Sequence, residues 1–110
     1  MNESRLAQLK ALLDAEPNDP FLIYGIAQEY IAVGIFPEAK SWFEKLVAEH
    51  PDYVPAYYHF GLCLYRLEED ERAFSVWRKG VEVAQAAGNR KTALEIKELL
   101  ADLADEEDEW

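Results

Sequence analysis

Apolar positions along the chain recur with helical rather than strand spacing. Leu6, Leu9, Leu12 and Leu13 form one stripe, Ile23, Ile26, Ala27 and Tyr30 a second, and Ala39, Phe43, Leu46 and Val47 a third. Tyr57, Phe60, Gly61 and Leu64 follow, then Ala73, Trp77, Gly80 and Val81, and last Ile96, Leu99, Leu100 and Leu103. No run alternates apolar and polar residues, and no Asn-Gly or Asp-Gly pair signals a hairpin. Turn residues fall between the stripes, at Glu16-Pro17-Asn18-Asp19-Pro20, Gly34-Ile35-Phe36-Pro37, His50-Pro51-Asp52 and Gly88-Asn89. The pattern predicts six helices, near 3–15, 20–33, 37–50, 54–67, 71–87 and 90–104. Asp19 is placed to cap the second, with Pro20 in its first turn. Asp70-Glu71 suits the start of the fifth, and Asn89 that of the sixth. Connections this short fold neighbouring helices back on each other.

The stripes also repeat. With residues 20–53 laid over 54–87, chemical classes coincide at a period of 34: Ile26 with Phe60, Ala27 with Gly61, Ala39 with Ala73, and Phe43 with Trp77. Small residues recur where two helices must approach, with large apolar ones beside them to fill the adjoining groove. Pro17 precedes Pro51 by the same step, and Leu9, Leu12 and Leu13 so precede Phe43, Leu46 and Val47.

The residues resemble the tetratricopeptide repeats, whose 34-residue unit reads W-x2-L-G-x2-Y, A-x3-F, P on a helix-turn-helix. The first copy has Ile23, Ile26, Ala27, Tyr30, Ala39, Phe43 and Pro51; the second has Tyr57, Phe60, Gly61, Leu64, Ala73 and Trp77. Neither copy keeps the family's Trp, the closing Pro becomes Gln85 in the second, and the turn glycine is Gly34 once and Glu68 the next time. The resemblance implies an all-α fold, a short right-handed solenoid of antiparallel helix pairs. One domain is expected over 1–104: a half-repeat helix at 1–19, repeats at 20–53 and 54–87, a capping helix at 88–104, and an acidic tail at 105–110.

Stacked pairs of this kind leave a concave groove lined by the first helix of each pair. The resemblance places Phe21, Tyr24, Gln28 and Ile31 there from the first repeat, and Pro55, Tyr58, His59, Leu62, Tyr65 and Arg66 from the second. Aromatic rings with a polar edge, together with Arg, suit a protein-binding surface. The function expected is an adaptor that binds a peptide or helical segment of a partner protein; the alternative is a homo-oligomeric assembly unit. One familiar use of the groove clamps a C-terminal carboxylate with Lys and Asn. The corresponding positions here are Tyr24, Gln28, His59, Asn89 and Ala93, with no Lys, so an apolar or aromatic segment is the expected ligand.

Charge narrows the partners further. The net charge is −11; residues 98–110 contribute seven acids and no base, and residues 1–97 hold 15 acids against 11 bases. Phosphate neutralisation and binding to an anionic membrane surface are both disfavoured by this balance. The longest apolar run, 21–27, is far too short to span a bilayer. A lone cysteine, Cys63, suits a reducing, cytoplasmic setting. His59 and Cys63 are spaced i, i+4 on one helix, which could present two metal ligands or a Cys-His pair, but the sequence supplies neither the remaining ligands nor an oxyanion site. No enzymatic activity, metal or cofactor is expected, and the chain is expected as a monomer or weak homo-oligomer. Trp110 at the end of the acidic run is a candidate for docking on an apolar surface.

Overall fold

The computed structural model describes residues 3–108, with side chains described over 5–103. It contains α1 (Glu3–Ala15), α2 (Pro20–Ala32), α3 (Phe36–Glu49), α4 (Val54–Arg66), α5 (Asp70–Ala86) and α6 (Arg90–Asp108). Every helix pair in extensive contact is consecutive along the chain. The result is an all-α helical-repeat solenoid measuring 46 × 30 × 20 Å. Its radius of gyration is 14.4 Å, against about 13 Å for a rounder domain of this length. No described helix is long and apolar enough to cross a membrane.

Local chemistry sets the helix ends. The Asp19 carboxylate accepts the Phe21 N–H at 2.9 Å, and Pro20 begins α2 where no N–H is needed. Asn89 accepts the Thr92 N–H at 3.1 Å and so caps α6. The start of α5 differs from expectation: Glu69 occupies the cap position without a side-chain hydrogen bond, and Asp70 and Glu71 lie in the first turn. There they complement the helix dipole without capping it.

Two kinds of turn join the helices. Gly34, Glu68 and Gly88 all adopt left-handed backbone, at φ 77°, 62° and 74°. In each case the next N–H reaches back to a carbonyl five residues earlier: Ile35 to Tyr30, Glu69 to Leu64, and Asn89 to Ala84. This closure satisfies the carbonyls left open at a helix end, and it favours glycine because a Cβ is strained there. The turns after α1 and α3 lack it and carry Pro17 and Pro51 instead.

The α5–α6 connection is therefore of the kind found within a helix pair. Helix α5 extends to Ala86, and burial in α6 follows α4 at a step of 36, Tyr57 answering to Ala93 and Phe60 to Ile96. Two extra residues rotate the helix by roughly 200°. Leu94, which a step of 34 would align with buried Phe60, is consequently 56% exposed. Helix α6 also runs four residues past its expected end, taking Asp105 to Asp108 into the helix. Trp110 lies outside the described residues.

Ile23, Ile26, Ala27, Ala39, Phe43, Leu46, Cys63, Leu64, Ala73, Trp77 and Ile96 are fully buried, with Phe60 nearly so. Phe43 stacks on Phe60 with ring centroids 5.8 Å apart, joining the two helix pairs. Gly61 lies against Trp77, and a Cβ there would overlap the indole ring. A Cβ on Gly80 would meet the Tyr57 Cβ at 2.6 Å. Tyr57 donates its hydroxyl to the Pro51 carbonyl, tying the exposed Pro51 turn to α4. Leu12 departs from its stripe and is 54% exposed. Its 34-step counterparts Leu46 and Gly80 are buried and lie on the second helix of a pair, whereas among the described residues no helix stands before α1.

Candidate functional site

Tyr24 and Ile31 are seven residues apart on α2, and Tyr58, Leu62 and Arg66 are four apart on α4, so each set lies along one helix face. Two cavities open along these residues. The first, of about 310 Å³, lies between α2, α4 and α6 and is lined by Tyr24, Pro55, Tyr58, His59, Thr92 and Glu95. The second, of about 370 Å³, is lined by Ile31, Ala32, Gly34, Phe36, Leu62, Cys63 and Arg66.

The first cavity is built on a hydrogen-bonded network. Gln28 Nε2 donates to the Tyr24 hydroxyl at 3.2 Å, and Tyr24 Oη lies 3.1 Å from His59 Nδ1. Gln28 Nε2 also approaches Nδ1 at 3.4 Å. Two donors converging on one ring nitrogen make it the acceptor and leave the His59 proton on Nε2. Burial opposes charging the ring and lowers the His59 pKa below its usual 6.5. Burial, then the neighbouring Tyr53, raises the Tyr24 pKa above 10.0, so its hydroxyl stays protonated as a donor. Gln28 Oε1 is buried without a hydrogen-bond partner. The Tyr24 ring lies 5.7 Å from that of Tyr53, and Tyr58 meets His59 edge-on at 5.2 Å.

The second cavity is apolar with one charge at its rim. The Arg66 guanidinium sits 4.9 Å from the centre of the Phe36 ring, a cation–π contact that positions it while its outer edge stays in water. Cys63 is fully buried, and its Sγ donates to the Phe36 carbonyl at 3.3 Å. Burial pushes its thiol pKa up to about 11, the reverse of what a nucleophile or metal ligand requires.

The candidate residues thus divide. Tyr24, Tyr58 and His59 come together at one end, with Gln28 behind them, and Ile31, Leu62 and Arg66 gather at the other. Tyr65 is turned away, its ring 6.2 Å from Phe74 and 6.1 Å from Trp77 on α5. His59 and Cys63 share a helix but not a site, since the imidazole bonds to Tyr24 and the thiol to Phe36. Among the described residues no group of three or more His, Cys, Asp or Glu side chains could hold a metal ion. Ala27, Ala39, Phe43, Gly61, Ala73 and Trp77 are all buried between helices. Sequence reasoning missed Tyr53, Phe36, Thr92 and Glu95. Tyr53 and Phe36 sit at helix starts outside the periodic stripes, and Glu95 faces the cavity because the two-residue shift of α6 brings it to the position of His59.

No family model and no curated protein matches the chain. Solved structures do. The Sgt2 TPR domain from Aspergillus fumigatus is 20% identical, with a TM-score of 0.80 over 96% of this chain and 69% of that one. The first TPR of Spaghetti (RPAP3), solved bound to the HSP90 peptide SRMEEVD, is 24% identical, with a TM-score of 0.69 over 87% and 79%. At those identities the likeness is one of fold. A tetratricopeptide repeat domain protein from Salinibacter ruber goes further: it is 36% identical and has a TM-score of 0.74 over 78% of this chain and 87% of its own. Shared sequence over most of both chains, on the same helical architecture, establishes that this chain belongs to the tetratricopeptide repeat family.

Proposed function

We propose that the chain is a non-enzymatic protein-interaction module that holds a segment of a partner protein against the face formed by α2 and α4. The observation that carries this reading is the pair of open cavities along one face of those helices, one lined by Tyr24, Tyr58 and His59, the other by Ile31, Leu62 and Arg66. Rings and an arginine held by internal contacts present large binding area at low ordering cost. The RPAP3 domain, of the same fold, takes a peptide. The acidic peptide it holds suits this face poorly, because Tyr24, Gln28 and His59 stand where a carboxylate clamp would need lysines and amides; the two-residue shift of α6 takes Asn89 and Ala93 out of that register and buries Ala93. The lone thiol fits work in a reducing compartment such as the cytoplasm.

The test is capture of partner proteins by the full chain, with Tyr58→Ala and Leu62→Asp as controls. Both side chains are half-buried at the surface, so circular dichroism should show the controls folded. Partners retained by the parent and lost by both variants are the expected result. Equal capture by all three would refute the reading. Exposure of Leu12 favours a second reading, association of copies through the α1 end. Sedimentation decides it, since a concentration-independent monomer excludes assembly.

A further inference from the structure

Resting on the interaction reading, we propose that the cavity between α2, α4 and α6 receives a cationic side chain, a lysine or arginine of the partner segment. Among the described residues no lysine or arginine lines this cavity, and its one full charge is the Glu95 carboxylate. A bound carboxylate would face Glu95 with nothing to neutralise it, whereas a cation would gain a counter-ion at the rim. Tyr24 and Tyr58 line the same cavity, and an aromatic face carries negative charge density that attracts a cation held over it.

The hydrogen-bond network leaves room for such a donor at one atom. The Tyr24 proton is committed to His59 Nδ1, and Gln28 Nε2 is committed to Tyr24. The second lone pair of the Tyr24 oxygen remains free to accept, while His59 keeps its Nε2–H and Gln28 Oε1 stays buried behind Tyr24. Asp19 adds negative charge beside the neighbouring Tyr53, whose hydroxyl it helps hold above the usual range after burial. The first turns of α4 and α6 bring partial positive charge to this end. Against it stands the full charge of Glu95, and the Thr92 N–H is already taken by Asn89.

The experiment titrates the full, isotopically labelled chain with three capped alanine–leucine peptides that differ only in a central lysine, norleucine or glutamate. The lysine peptide should shift the signals of Tyr24, Tyr58 and Glu95 and bind at least about 5-fold tighter than the norleucine peptide. Glu95→Gln, on the exposed side of α6, should leave the fold intact and weaken the lysine peptide roughly 3- to 10-fold, with little change for norleucine. If norleucine or glutamate binds at the same signals as tightly as lysine, the cation assignment is overturned and the interaction reading survives. If none of the three moves those signals, both fall.

Discussion

The two helix pairs share a backbone plan but solve their packing in opposite ways. By the 34-residue step, Ile23, Ala27, Phe43 and Leu46 of α2–α3 correspond to Tyr57, Gly61, Trp77 and Gly80 of α4–α5, where Gly61 lies against Trp77 and Gly80 against Tyr57. Wherever the second pair enlarges one side chain, it shrinks the opposing one. Trp77 occupies the space a Cβ on Gly61 would need, and Tyr57 the space a Cβ on Gly80 would need. The larger residues then acquire polar work, the Trp77 indole donating to the Tyr58 carbonyl at 3.1 Å and Tyr57 to Pro51. For Ala27 with Phe43 and Gly61 with Trp77, what repeats at 34 residues is the summed volume, not either residue alone, as expected of interiors packed to near-crystal density.

This comparison breaks most sharply at Gly61. Gly61→Ala should destabilise the protein by about 3 kcal/mol in urea melts, because the new methyl collides with a ring that has no free space to enter. Adding Trp77→Phe rebuilds the Ala–Phe pairing of the first repeat and should recover about 1–3 kcal/mol beyond additivity. Additive effects would mean that the two positions do not share a volume.

The turns offer a smaller test of opposite sign. Gly34 and Glu68 hold the same left-handed conformation, yet only one is a glycine. Gly34→Ala should cost about 1–2 kcal/mol and Glu68→Gly should add about 1 kcal/mol to stability. Nothing lies within 4 Å of a Cβ at Gly34, so the loss would be backbone strain alone.

The smallest effect concerns the position where Gly25 of the first pair corresponds to His59 of the second. Burial lowers the pKa of His59 from 6.5, so the unfolded chain takes up this proton at higher pH than the folded one does. Its contribution to stability is full above 6.5 and is lost as the pH falls through the folded value. Denaturation at pH 7 and pH 5 should therefore show a greater acid loss for the parent than for His59→Gln. Equal losses would place His59 in water.

Much of this architecture is legible in the sequence. Helical periodicity, the Asp19 and Asn89 caps and the 34-residue step are local signals, and they suffice for six helices and a repeat solenoid. What escaped reading depended on neighbours remote in sequence. Leu12 belongs to a sound apolar stripe, but among the described residues no helix covers it. Tyr65 has the spacing of a groove residue, and its ring packs against Phe74 and Trp77 of α5. Glu68 carries no mark of left-handed backbone apart from its distance from Gly34. At the candidate site, Tyr24 and Tyr58 were evident from their register, while the Glu95 side of the cavity depended on the rotation of α6, which two extra residues reset.

Because each helix leans mainly on the one before and the one after it, resistance to opening should be graded along the molecule. Terminal helices have a single extensive neighbour, so α1 and α6 can fray without disturbing the rest. Amide protons would then exchange fastest at the two ends and slowest in α3 and α4. The Leu62–Arg66 cavity thus sits on the most persistent scaffold in the chain, whereas the cavity closed by Glu95 depends on a wall that loosens first.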